Sequence, residues 1–237
     1  MKSCIASFYM GNVDMKTVGL QRSVVEKYNK SKVPFHQIKL DGMKHANGID
    51  YFWGVNGVVI DNFSHMTIER ECDYDVVMFL DIDCIPLNEN SIDSYLQKAA
   101  DGYLIGNAQR SNHIQNEQHM FAAPSALAIS RETFIRIGKP SALETKRSDV
   151  AEEYTFKAEE AGVPIELLLP KSFDAPPFRY AWEGAQPGYW ALADGYPVYG
   201  IGTTFGDEEV EFYHNFQIFT PGQQERFWAR CEKELTK

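Results

Sequence analysis

Residues Tyr74 to Pro86 read Tyr-Asp-Val-Val-Met-Phe-Leu-Asp-Ile-Asp-Cys-Ile-Pro, an apolar run that stops abruptly at two carboxylates one residue apart. Val76 to Leu80 is short, β-branched and aromatic-rich, which is the composition of a buried strand. Successive side chains on a strand alternate faces, so Asp81 and Asp83 are expected on one side with Ile82 turned away. Pro86 stops strand pairing and forces a turn directly behind the carboxylates. Acidic groups at the C-terminal end of a buried strand face the crevice where open α/β sheets bind ligands. Two adjacent negative charges repel one another, and a divalent cation relieves that repulsion. All-oxygen ligands suit Mg²⁺ or Mn²⁺, which keep some of their waters and bridge to substrate phosphates. Asp81 and Asp83 therefore read as a metal–diphosphate site.

The rest of the chain is consistent with one large α/β domain. Its 237 residues are 44% hydrophobic, enough for a proper core. A net charge of -10 disfavours a nucleic-acid or anionic-membrane partner, because those surfaces need clustered Lys and Arg. No apolar run approaches membrane-span length, and Met1 to Ala6 reads as the start of a strand rather than a signal peptide. Cys4, Cys72, Cys84 and Cys231 lack CxxC spacing and read as reduced thiols of a cytoplasmic protein.

No repeat or linker divides the chain. Ser3 to Tyr9 and Phe35 to Leu40 read as strands, with helices over Met15–Lys30 and Gly57–Glu71 preceding the Asp-x-Asp strand. That alternation implies right-handed crossovers and a mainly parallel central sheet flanked by helices. Beyond the carboxylates, Ser91–Ala100 is expected helical, and Tyr103–Asn107 and Ser125–Ile129 extended. A short helix follows around Glu132–Ile137. Ser148–Ala161 reads as a helix capped by Ser148 or Asp149 and stopped by Gly162. Pro164–Leu169 is a further strand. Ser172–Phe205, rich in Gly, Pro and aromatics, is expected to be irregular. Glu211–Phe219 reads as extended, and Gln223–Glu234 as a terminal helix.

The strand, the Asp-x-Asp and the Pro together resemble the signature of GT-A-type glycosyltransferases, and the element order after Asp83 is similar to that family's. The resemblance covers nearly the whole chain in element order, but only the Asp-x-Asp segment is a specific motif. It implies a single GT-A-like (Rossmann-like) domain, with a nucleotide-binding half over residues 1–107 and an acceptor-side half over 108–237. In the family, a strand like Pro124–Ser130 leads into a helix like Arg131–Phe134 beside the donor sugar. An acidic helix start then supplies the general base of inverting members, which implies Asp149, Glu152 or Glu153 here. The family's Glu-Asp pair aligns best with Glu152-Glu153, where both residues are Glu. A helix N-terminus favours the ionised form that a base needs, and equally these carboxylates could simply satisfy the helix dipole.

The resemblance further implies that His214, in Phe212-Tyr213-His214-Asn215-Phe216, joins Asp81 and Asp83 on the metal, and an imidazole ligand favours Mn²⁺ over Mg²⁺. Phe8, Tyr9 and Met10 would pack on the base of the nucleotide. Asp41 would hold base or ribose, although Asp41-Gly42 is also a plain turn signal. Asp61 or Asn62 would contact the donor, and Asp81 would reach the metal through water or hold the ribose. Trp182, Glu183, Tyr189 and Trp190 could form an acceptor wall, or an aromatic cluster under a loop. His113 and His119 read as solvated.

The function so implied is metal-dependent transfer of a sugar from a nucleoside-diphosphate sugar, UDP favoured, to a hydroxyl of a glycan, lipid-linked or protein acceptor. Inverting and retaining outcomes stay open. A nucleotidyltransferase is the first alternative. It usually carries a Gly-rich, basic loop after the first strand, whereas residues 9–16 hold one Gly and no Arg. A non-catalytic nucleotide- or sugar-binding protein is the second.

Overall fold

The computed structural model describes residues 1–40, 45–54, 73–111, 119–175, 192, 199–216, 218–219 and 221–237. Strand β3 (Val76–Asp81) lies inside a six-stranded sheet built with β1 (Ser3–Met10), β2 (Phe35–Leu40), β5 (Leu104–Arg110), β6 (Met120–Ser130) and β7 (Ile165–Leu168). The strand order is β2-β1-β3-β6-β5-β7. β6 pairs antiparallel with both its neighbours and every other pairing is parallel, so the sheet is mainly parallel, as the sequence implies.

β3 needs no polar face because helices or a second sheet cover both sides. Val77 and Phe79 pack with Phe52 and Trp53 of α2 (His45–Trp53), Phe134 of α4 (Arg131–Arg136) and Tyr154 of α5 (Glu152–Glu160). Val76, Met78 and Leu80 face the other way. They meet Ile92, Tyr95 and Leu96 of α3 (Ser91–Ala100), and Phe205 and Phe212 from the second sheet. That sheet is antiparallel, in the order β4 (Cys84–Pro86), β10 (Glu211–His214), β9 (Ile201–Gly206), β8 (Pro170–Ala175). The remaining helices, α1 (Met15–Tyr28) and α6 (Gln223–Thr236), lie against each other, with Trp228 Nε1 donating to Thr17 Oγ1 at 2.8 Å.

The register Phe8↔Asp81 aligns the C-terminal ends of β1 and β3, so the carboxylates emerge at the expected edge. The reason differs from the expected one. β3 ends at Asp81, and Ile82 and Asp83 form a turn into β4, so strand alternation does not set the direction of Asp83. Ile82 packs on Val13 and Val18, and these contacts, with the hydrogen bonds that Gln21 and Asn215 make to the turn's carbonyls, orient the acidic pair.

Two further expectations are corrected. The helix read over Ser148–Ala161 begins only at Glu152. Ala151 sits at φ 61° in the left-handed region, held by its N–H to the carbonyl of Ala142 (2.9 Å), and an irregular turn occupies residues 148–151. The span Ser172–Phe205 is not wholly irregular, since β8 and β9 lie largely within it and pair with each other. The helix expected over Gly57–Glu71 falls on residues outside those described, except that α2 lies earlier in the chain than any helix read there. No helix among the described residues is long and apolar enough to cross a membrane. Cys4, Cys84 and Cys231 are buried free thiols, as expected of them.

Candidate metal centre and its cavity

Antiparallel pairing of β10 with β4 sets His214 opposite Cys84, immediately beyond the acidic turn. The His214 Nε2 atom lies 3.3 Å from Asp83 Oδ1 and 3.5 Å from Asp81 Oδ2. One ligand atom from each of the three residues falls within 4.8 Å of the others. Asp83 and His214 are buried and Asp81 is partly open. Burial works against the His214 imidazolium, but the charge and hydrogen bond of Asp83, helped by Asp81, more than offset it and raise its pKa. The same surroundings push the Cys84 thiol far up, through burial first and then the two carboxylates, so this sulfur stays protonated beside the site.

The donor set fits a divalent cation. Two carboxylates and one imidazole converge from a turn and a strand whose backbones are themselves fixed, and the mix suits Mn²⁺. Buried Gln21 on α1 donates Nε2 to the carbonyls of Asp81 (2.7 Å) and Cys84 (3.1 Å). Its Oε1 accepts from Ser7 Oγ at 3.1 Å and Gln37 Nε2 at 2.9 Å. The Asn215 N–H closes the other side on the Asp83 carbonyl at 2.9 Å. Gln21 was invisible as a site residue in the sequence, because a Gln on a helix face carries no motif. A second imidazole was also missed. His45, at the start of α2, places Nε2 3.2 Å from Asp81 Oδ1.

Asp81, Asp83, His214 and His45 line a cavity of about 350 Å³ between the ends of β1, β2 and β3 and the segments around Asp149 and Phe216. Its wall is largely apolar, with Tyr9, Met10, Val13, Leu40, Ile82, Phe216, Ile218 and Phe219 around the acidic pair. Phe8 reaches this wall too, yet it is 2% exposed and packs edge-on against His45 and Phe52, so it is mainly core. Tyr9 and Met10 are more accessible.

The three acidic candidates after residue 148 part company. Asp149 lines the cavity. Glu152 is fully buried and accepts from Ser111 Oγ (2.8 Å), His119 Nδ1 (2.5 Å) and the Asp149 N–H (2.6 Å). Glu153 forms a two-pronged pair with Arg147, at 2.8 Å from both Nε and a terminal nitrogen, which with other hydrogen bonds holds its carboxyl below the usual range against partial burial. The expectation that His119 is solvated is corrected, because its side chain is largely covered and bonded to Glu152. It is stacked on Phe156 with ring centroids 4.0 Å apart, because the buried Glu152 needs a donor. Asp41, Asp61, Asn62, His113, Trp182, Glu183, Tyr189 and Trp190 lie outside the described residues.

No protein-family model matches the sequence, and comparison with curated proteins yields no match. Some solved structures are partly similar. The galactosyltransferase LgtC, in complex with donor and acceptor sugar analogues, is 13% identical over 97% of this chain and 95% of that one, with a TM-score of 0.48. Drosophila β1,4-galactosyltransferase 7, in a mutant complex with manganese, UDP-Gal and xylobiose, is 13% identical over 70% of this chain, with a TM-score of 0.44. This chain spans 65% of that Drosophila chain. At such identities and TM-scores the likeness carries no argument about this chain, and the fold and the roles argued for it rest on the geometry above.

Proposed function

We propose that the protein is a metal-dependent glycosyltransferase that uses a nucleoside-diphosphate sugar. The observation that carries this reading is the convergence of Asp81, Asp83 and His214 on the lining of a cavity whose wall is otherwise largely apolar. Asp81, Asp83 and His214 hold a divalent cation, Mn²⁺ in preference to Mg²⁺. When bound, the cation neutralises the diphosphate leaving group and fixes its orientation. Tyr9 and Met10 offer apolar surface to the nucleobase, UDP being the favoured carrier. Asp149, whose Oδ1 accepts the Val150 N–H at 2.7 Å, takes the proton from the acceptor hydroxyl, a role supported by its position on the cavity wall, which Glu152 and Glu153 do not line. The acceptor is a hydroxyl of a glycan, lipid-linked or protein substrate.

Thermal unfolding with UDP and GDP, each with and without Mn²⁺, tests this. A ligand at a hundred times its Kd stabilises by about 2.7 kcal/mol, which for a chain of this size raises Tm by roughly 5–10 °C. The shift should need both Mn²⁺ and nucleotide and vanish in Asp83→Ala, after which the matching nucleotide sugars are assayed for turnover. A folded wild-type protein that no nucleoside diphosphate stabilises, with or without Mn²⁺, overturns the proposal.

A further inference from the structure

With a divalent cation held by Asp81, Asp83 and His214 as proposed above, and resting on that reading, we infer that His45 is a positioning residue for the site. In the metal-loaded site it donates from Nε2 to Oδ1 of Asp81 and leaves Oδ2 directed at the space shared with Asp83 and His214. Each oxygen of the Asp81 carboxylate has its own imidazole. Oδ1 lies 3.2 Å from His45 Nε2, and Oδ2 lies 3.5 Å from His214 Nε2. His45 does not belong to the converging ligand group, and its contact is with Oδ1 rather than the Oδ2 that approaches His214. Its Nε2 is buried, with no aligned hydrogen bond among the described residues. The 3.2 Å approach to Asp81 is within hydrogen-bond reach. Hydrogen bonds of this kind commonly tighten when a site is filled.

The fold holds the His45 ring at that distance. Phe8 presents itself edge-on to the imidazole, with ring centroids 5.7 Å apart at 72°. Phe8 is also the register neighbour of Asp81, so ring and carboxylate sit on adjacent strands. One turn into α2, Gly48 permits the close approach, since a Cβ there would lie 2.6 Å from Phe8 Cδ1. Further along the same helix, Asp50 accepts the Ala142 N–H at 2.6 Å and a hydrogen bond from Ser141. A helix fixed at both points has little freedom to move its first residue. A ligating carboxylate with an unrestrained second oxygen can swing or chelate, and a donor on that oxygen removes the freedom. Outer partners of this kind are worth about 10–100-fold in metal affinity.

The test uses the full chain and Mn²⁺ alone, followed by electron paramagnetic resonance. His45→Phe keeps the ring against Phe8 and deletes the donor. His45→Gln keeps a donor near the Nε2 position. His45→Phe should weaken Mn²⁺ binding by about 10–100-fold with the metal-free unfolding temperature unchanged, and His45→Gln should restore most of the affinity. Nitrogen hyperfine couplings on bound Mn²⁺ should report one imidazole, in the wild type and in His45→Gln alike. Wild-type affinity in His45→Phe overturns the inference. So do two nitrogen couplings that fall to one in His45→Gln, because His45 would then be a ligand. Loss of affinity in both variants, accompanied by a lowered metal-free unfolding temperature, would make His45 a packing residue and also overturns it. A wild-type protein that binds no Mn²⁺ fails the metal reading itself, and the role of His45 falls with it.

Discussion

Replacing Glu152 with Leu should cost the protein much of its stability, because this carboxylate is fully buried and holds three segments together. It accepts from Ser111 at the end of β5, from His119 at the start of β6 and from the Asp149 backbone ahead of α5. Hydrogen bonds to a charged group contribute about 1.5–3 kcal/mol each. They do not sum here, since His119 can shed its proton and retains Glu159 at 3.5 Å. Removing one partner of a buried pair costs about 3–5 kcal/mol. In a chain of this length that lowers Tm by roughly 6–20 °C. Glu152→Gln keeps the shape and one acceptor oxygen, so about half the loss is expected. Thermal unfolding near pH 6.5 and turnover of the Gln variant are the two readouts. A scaffold role leaves turnover within about tenfold, whereas loss of a general base costs about 10²–10⁴-fold. A Tm drop under about 3 °C in Glu152→Leu, or a Glu152→Gln protein that is stable but lacks turnover, would refute the reasoning.

Two other outcomes follow from the same geometry. Gly48→Ala places a methyl 2.6 Å from the Phe8 ring, which is packed on Phe52 and Phe79 and cannot yield easily, so overpacking should cost about 1–3 kcal/mol in denaturant unfolding and weaken nucleotide binding at the adjoining wall. Stability should also depend on pH through His119, whose pKa is raised because Glu152 and Glu159 outweigh the opposing effect of burial. A raised folded-state pKa stabilises fully below the unfolded value near 6.5 and is lost as pH climbs through the folded value. The wild-type advantage over Glu152→Gln should therefore be largest at pH 6 and shrink on the alkaline side. An advantage that instead grew with pH would contradict the pairing.

What the sequence disclosed and what it concealed separate along a physical line. β1, β2, β3, α1, α3 and α6 carry their own signals, because each buries a face at the period of its own backbone, and the Asp-x-Asp chemistry is written within a single segment. β9 carries no such signal. Ile201-Gly202-Thr203-Thr204-Phe205-Gly206 has glycines at φ 68° and 107° and reads as loop, and it becomes a strand only because β8 and β10 pair with it on either side. Resemblance alone made His214 a candidate ligand, and what brings it beside Asp83 is the pairing of β10 with three-residue β4, a contact between distant parts of the chain.

The acidic cluster shows the limit most sharply. Asp149, Glu152 and Glu153 are equivalent on paper, since a regular helix from Ser148 would set all three near its N-terminus. The left-handed conformation of Ala151 breaks that equivalence. An alanine gives no warning of φ 61°, which is strained for any residue with a Cβ and persists only where surrounding contacts impose it. Here the imposing contacts are the Ala142 carbonyl and the buried Glu152 carboxylate folding back on the Asp149 N–H. Local backbone strain thus decides which of three neighbouring carboxylates meets the cavity, Asp149 on its wall, with Glu152 turned into the core and Glu153 onto Arg147. The chemistry available at the site depends on a tertiary hydrogen bond more than on the residue types that precede the helix.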